Sequence, residues 1–147
     1  MKLLDLYEWA TGSMSNFTKP FQENEVLFAQ AKSFWRSLEG ITMVTIVLFV
    51  VIGILSAIIY YKPYNDRPGR HYRPTHWFAF LGVTFFLTLL ATWGFEYVAV
   101  RPMLKGATIL EFKIAFGNAI YATVLFIVTS VIWCYTLPTN AYRLLKF

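Results

Sequence analysis

Residues 77–100, WFAFLGVTFFLTLLATWGFEYVAV, decide the fold because they form a long apolar run with a single charged side chain. As an α-helix this stretch is long enough, at about 1.5 Å per residue, to cross the roughly 30 Å hydrocarbon core of a bilayer. Two further apolar runs, residues 41–61 and 114–136, flank it in the chain. The sequence therefore predicts an all-α membrane protein with three transmembrane helices.

The composition agrees with this fold class. Hydrophobic residues make up 57% of the 147 residues and charged residues only 14%, whereas soluble domains usually carry about 25% charged residues. We therefore expect a multi-pass integral membrane protein of one domain. A bacterial inner membrane is the default expectation for its location, and an organelle membrane remains open.

Residues 1–40 form an N-terminal segment. Residues 11–20 contain a glycine, a proline and two serines, which are typical of a loop. Residues 22–39 predict an amphipathic helix before the first span, which we expect to lie in the membrane interface. The alternative is a straight extension of the first span, packed on a neighbouring element. The apolar face of this helix comprises Leu27, Ala31, Phe34, Trp35 and Leu38.

Residues 41–137 hold the three spans and the basic segment that joins the first two, and residues 138–147 form a short basic tail. The link between the second and third spans is so short that these helices must form an antiparallel hairpin. Thr108 and Glu111 fit a capping box at the start of the third helix. Basic-residue counts favour an outside N-terminus and an inside C-terminus.

The second span carries a polar stripe. Its members recur every four residues, and residues four apart drift only about 40° around a helix. Asn118 on the third helix could extend the stripe. Threonines of this kind favour hydrogen bonds on their own helix, and lining of a pore is the alternative. The stripe comprises Thr84, Thr88, Thr92 and Glu96.

Glu96 is the one charged residue of this span. An ionisable side chain inside a membrane helix is a candidate functional group, so one interpretation is that Glu96 is an ion or proton site. Its neighbours Trp93 and Tyr97 are typical of the membrane interface. We therefore expect Glu96 near headgroup depth, where it meets water or pairs with Lys113 across the hairpin.

The segment 62–76 combines basic and aromatic residues. Guanidinium groups bind phosphates in a bidentate manner, so we expect docking of anionic lipid headgroups or an acidic protein surface. The alternative is a topology determinant that stays in water. Nucleic acid is not expected, because the segment is short and held at both ends. The proposed docking residues are Lys62, Arg67, Arg70 and Arg73.

Gly53 and Ala57 form a small-xxx-small pair in the first span, a spacing that permits close helix packing. The alternative is that small residues are simply common in membrane helices.

Two histidines, His71 and His76, lie near Asp66, but their spacing matches no metal motif, and no histidine lies in a span to hold haem. The chain contains no phosphate-binding glycine loop, no nucleophile-base-acid set and a single cysteine, Cys134. We therefore expect no metal, no cofactor and no enzymatic activity.

These observations favour a non-catalytic subunit that packs into a larger membrane complex and helps to assemble or anchor it. Its expected partners are membrane lipids and other membrane subunits, unlike or identical. The alternative is a homo-oligomeric pore, holin-like or ion-conducting, lined by the polar stripe.

Overall fold

The computed structural model describes residues 3–67, 73–100, 104, 107–139 and 141, and within these it is helical with no strand. These residues contain five α-helices, two 3-10 turns and a π turn. The helices are α1 (Glu8–Thr11), α2 (Met14–Thr18), α3 (Glu25–Ile59), α4 (Pro74–Ala99) and α5 (Thr108–Thr136), and the turns are Leu3–Tyr7, Lys19–Phe21 and Tyr60–Tyr64.

Three helical segments are long and apolar enough to cross a membrane: Glu25–Tyr64, Pro74–Ala99 and Thr108–Thr136. The prediction of an all-helical chain with three such helices is confirmed. The second helix begins three residues before residue 77, at Pro74. Proline suits the first turn of a helix, since its fixed φ is helical and its missing N–H has no partner there anyway.

The prediction of a separate amphipathic helix before the first span is wrong, because α3 runs without a break from Glu25 to Ile59. The intervening Gly40 lowers helix propensity by only about 1 kcal/mol, which the surrounding helical residues overcome. The apolar face of residues 25–39 is covered by protein except at its start, where Leu27 is 40% exposed. Phe34 and Trp35 are buried, and both rings contact Phe17.

Residues 11–20 do not form a simple loop. They contain α2 and the start of a 3-10 turn, and the hydroxyl of Ser13 accepts a hydrogen bond from the backbone N–H of Asn16 at 3.5 Å. Serine at this position satisfies an N–H group that the first helical turn leaves free. Short polar sequences of this type therefore fold here as capped turns against α3.

The chain divides into two compact units, and each long helix contributes to both. The first unit contains Met1–Val47 and Leu89–Asn118, and the second contains Leu48–Thr88 and Ala119–Phe147. The hydrophobic core of the second unit is largely aromatic. Its buried members are Ala57, Tyr60, Tyr61, Trp77, Phe126 and Ala141.

The basic segment is partly helical. The π turn Tyr60–Tyr64 extends past Lys62, and α4 already includes residues 74–76. The side-chain amide of Asn65 donates to the carbonyl oxygen of Tyr60, which closes the end of the π turn. Among the described residues of the segment 62–76, only a short part therefore lies outside helical hydrogen bonding.

Candidate functional site

The threonines of the polar stripe satisfy their hydroxyl groups on α4 itself. Thr84 donates to the carbonyl oxygen of Phe80 at 2.7 Å, and Thr88 donates to that of Thr84 at 2.8 Å. Thr92 lies 3.5 Å from the carbonyl oxygen of Leu89. All three threonines are 0% exposed within one copy of the chain. These hydroxyl groups are thus covered by protein and need no water beside them.

Glu96 lies on the same face of α4, in the first unit, and is only 1% exposed. Neither carboxylate oxygen has a hydrogen-bond partner in the described part of the chain. The expected bond to Lys113 is not formed, and the side chain of Lys113 is exposed. Within a single copy, Glu96 is enclosed by protein and has almost no contact with bulk water.

The carboxyl group of Glu111 lies close enough to that of Glu96 for the two to interact electrostatically. Glu111 is 5% exposed, and its Oε2 atom also has no hydrogen-bond partner among the described residues. Sequence reasoning assigned Glu111 only to a helix cap. Its spacing of seven residues from Asn118 is the signal that could have placed both on one face of α5.

Asn118 is completely buried, and its Oδ1 atom accepts a hydrogen bond from the hydroxyl of Tyr7. Its Nδ2 atom has no partner in the part of the chain that the structure describes. The Tyr7 ring passes over Gly117, where an added Cβ would lie 3.0 Å from Cδ1 of Tyr7. Sequence analysis did not single out Tyr7, because no local pattern connects it to a residue 111 positions away.

The first unit therefore encloses the carboxyl groups of Glu96 and Glu111 and the amide of Asn118. Each of these groups has at least one polar atom without a hydrogen-bond partner among the described residues. Buried polar groups in native proteins almost always have a partner, and ordered water or an ion supplies it when protein does not. An arrangement of this kind can hold a proton, a small cation or a bound water. The described residues contain no group of three or more histidine, cysteine, aspartate or glutamate side chains placed to hold a metal.

Three of the four proposed docking residues, Lys62, Arg67 and Arg73, are exposed, and Arg70 lies outside the described residues.

Of the two histidines, His71 also lies outside the described residues. His76 is half-buried, with its ring edge-on to that of Tyr64 at 5.7 Å between centroids. This placement gives His76 a packing role against the end of the π turn.

Gly53 lies against α5 within the second unit. An added Cβ there would come within 2.7 Å of the carbonyl oxygen of Ala122 and 3.0 Å of Cβ of Leu125. Ala57, one turn further along α3, is 0% exposed. Only glycine permits this approach of two backbones, since any side chain at position 53 would overlap with α5.

No protein-family model, curated protein or solved structure matches the sequence.

Proposed function

We propose that this chain is a non-catalytic integral membrane subunit that packs into a larger membrane complex and helps to anchor it. The observation that carries the proposal is the length of α3 together with the folded N-terminal segment on its first half. A helix of 35 residues extends about 52 Å at 1.5 Å per residue, whereas the hydrocarbon core needs only about 20 residues.

The first fifteen residues of α3 are the part that belongs outside the hydrocarbon. They carry Glu25, Lys32, Arg36 and Glu39, and charged side chains at the centre of a bilayer are costly. The indole N–H of Trp35 donates to the carboxylate of Glu39 at 3.1 Å, one turn along the same helix. A polar, internally bonded stretch of this kind suits the headgroup layer and the water beyond it.

This outer part of α3 has its own small core. Phe17 contacts Phe34 and Trp35, and Thr18 and Ala31 are buried. A chain that served only as a lipid-embedded anchor would not require such a folded segment outside the membrane. This segment is folded, and we propose no catalytic group in it. Both points support a role in contacting other proteins.

Apolar side chains remain on the surface of this segment. Trp9 is 60% exposed, Val26 is 66% exposed and Leu27 is 40% exposed. Exposed apolar groups next to charged residues are typical of surfaces that bind another protein.

The helix α4 also leaves much of its apolar surface uncovered. Only 17% of its most apolar window is buried by the chain itself, which leaves a wide surface for lipids or neighbouring helices.

The second candidate function is a homo-oligomeric pore lined by the polar stripe. A pore requires polar side chains on a surface that faces a common axis. The four members of the stripe are 0–1% exposed within one copy, so they are already covered before any copies assemble. Their burial favours the subunit over the pore.

Purification of a tagged chain from its native membrane in a mild detergent tests the proposal. We expect the same unlike membrane proteins to accompany it in a fixed ratio. Val26→Lys should lower their recovery, because it places a charge on the exposed apolar surface. Gln22→Lys is the control, since it adds the same charge at an exposed polar position just before α3.

Reconstitution in liposomes tests the alternative. We expect the purified chain alone to conduct no ions. A symmetric ring of identical copies, with a conductance that Glu96→Gln alters, would overturn the subunit proposal and establish the pore.

A further inference from the structure

The second unit contains a cavity of about 700 Å³ where α3 and α5 end. This volume lies within the range of roughly 300–1,000 Å³ that is usual for small-molecule sites. Residues of the π turn, of the turn that follows it and of the end of α5 line the cavity. The lining residues that matter here are Tyr61, Lys62, Asp66, Arg67, Trp133 and Thr139.

The aromatic wall of the cavity is a pair of stacked rings. The rings of Tyr61 and Trp133 stack with 5.8 Å between centroids and 18° between planes. The thiol of Cys134 lies 3.5 Å from the hydroxyl of Tyr61 and donates to it. Tryptophan and tyrosine concentrate at the depth of lipid headgroups, where one edge of the ring is apolar and the other is wet. A wall of this composition suits the headgroup layer.

The charged wall favours an anion. Lys62 and Arg67 are exposed, and Asp66 is the one carboxylate among the described residues of the lining. Among the described residues of the lining, two cations and one carboxylate leave a net charge of +1. This charge matches a headgroup that carries a single negative charge on its phosphate.

From the cavity, its charge and its aromatic wall, we propose that this site binds the phosphate headgroup of an anionic phospholipid. Lys62 and Arg67 contact the phosphate oxygens, and Trp133 packs against the glycerol region. The inference rests on the proposed function only in placing the chain in a membrane. It requires no partner protein, so it can fail while the subunit proposal stands.

Arg73 provides a matched control within the same segment. It is exposed like Lys62 and Arg67, but it is not among the residues that line the cavity. A diffuse attraction to an anionic surface would depend on all three cations alike, whereas a bound headgroup depends on the two in the wall. The comparison therefore separates a site from a basic patch.

The experiment uses the purified full chain in neutral detergent, with phosphatidylglycerol and phosphatidylcholine of equal acyl chains competing for it. Bound lipid is counted by native mass spectrometry. We expect a preference for phosphatidylglycerol that Lys62→Gln and Arg67→Gln each lower about fivefold, and the double variant roughly 25-fold. Asp66→Asn should raise it, and Arg73→Gln should leave it unchanged.

Three results would overturn the proposal. One is an absence of preference between the two lipids in the unaltered chain. Another is an equal loss in Arg73→Gln, which would indicate diffuse attraction only. The third is displacement of phosphatidylglycerol by millimolar inorganic phosphate, which would indicate a soluble anion as the ligand. As a control, each variant should unfold in phosphatidylcholine under the same conditions as the unaltered chain, which shows that its fold is intact.

Discussion

The hydroxyl of Tyr7 donates a hydrogen bond to Oδ1 of Asn118, and both side chains are 0% exposed. This bond attaches the first helical turn of the chain to α5 within the first unit. It is the contact through which the N-terminal segment is held on the polar interior that also contains Glu96.

Tyr7→Phe should destabilise the chain by about 1–3 kcal/mol, because it leaves the buried Oδ1 atom without this donor. Reversible unfolding in mixed detergent micelles measures the change. Tyr97→Phe is the control, since Tyr97 is 49% exposed and its hydroxyl should contribute little. In a double-mutant cycle with Asn118→Leu, the combined loss should be smaller than the sum of the single losses. Strict additivity would contradict a direct coupling.

Glu96→Gln and Glu111→Gln should each leave stability unchanged or raise it, because glutamine keeps the size of the side chain and removes a carboxyl group whose charged form is costly to bury. The effects of the two changes should not be additive, since the two carboxyl groups interact. Unfolding at neutral pH measures both. A loss above about 1 kcal/mol in either variant would instead identify a stabilising cation on the pair.

Gly53→Ala should destabilise the second unit by about 1–3 kcal/mol, because the new Cβ would overlap with the backbone of Ala122. Gly94→Ala is the matched control. A Cβ at Gly94 meets no described heavy atom within 4 Å, so alanine should be neutral or stabilise the helix by up to about 1 kcal/mol. Equal effects of the two variants would show that the approach at Gly53 is not required.

Cysteine labelling tests the three crossings. In a Cys134→Ser background, Gly69→Cys and Leu145→Cys should react with an impermeant reagent from the same side of the membrane. Glu23→Cys, before the first span, should react from the opposite side. These positions follow from three helices long enough to span a bilayer. Labelling of positions 69 and 145 from opposite sides would eliminate one of the later crossings.

The amino-acid sequence alone determined the helical class and the number of long apolar helices, because both depend on local composition and periodicity. The face of α4 that carries Thr84, Thr88, Thr92 and Glu96 also follows from a spacing of four residues. The apolar face of residues 25–39 was likewise readable. The sequence did not show which residue covers that face, because Phe17, whose ring contacts it, lies on a different element.

Only the tertiary structure decided which side chains meet across the chain. It brought Glu111 within electrostatic reach of Glu96, placed the Tyr7 hydroxyl in hydrogen-bond contact with Asn118, and formed a cavity between the π turn and the end of α5. Each of these relationships joins residues that lie on different elements of the chain. Hydrophobic periodicity specifies which face of a helix is buried, but the partner of that face depends on packing of the folded chain. The same dependence on packing allows α3 to continue through Gly40, from the charged stretch into the apolar one.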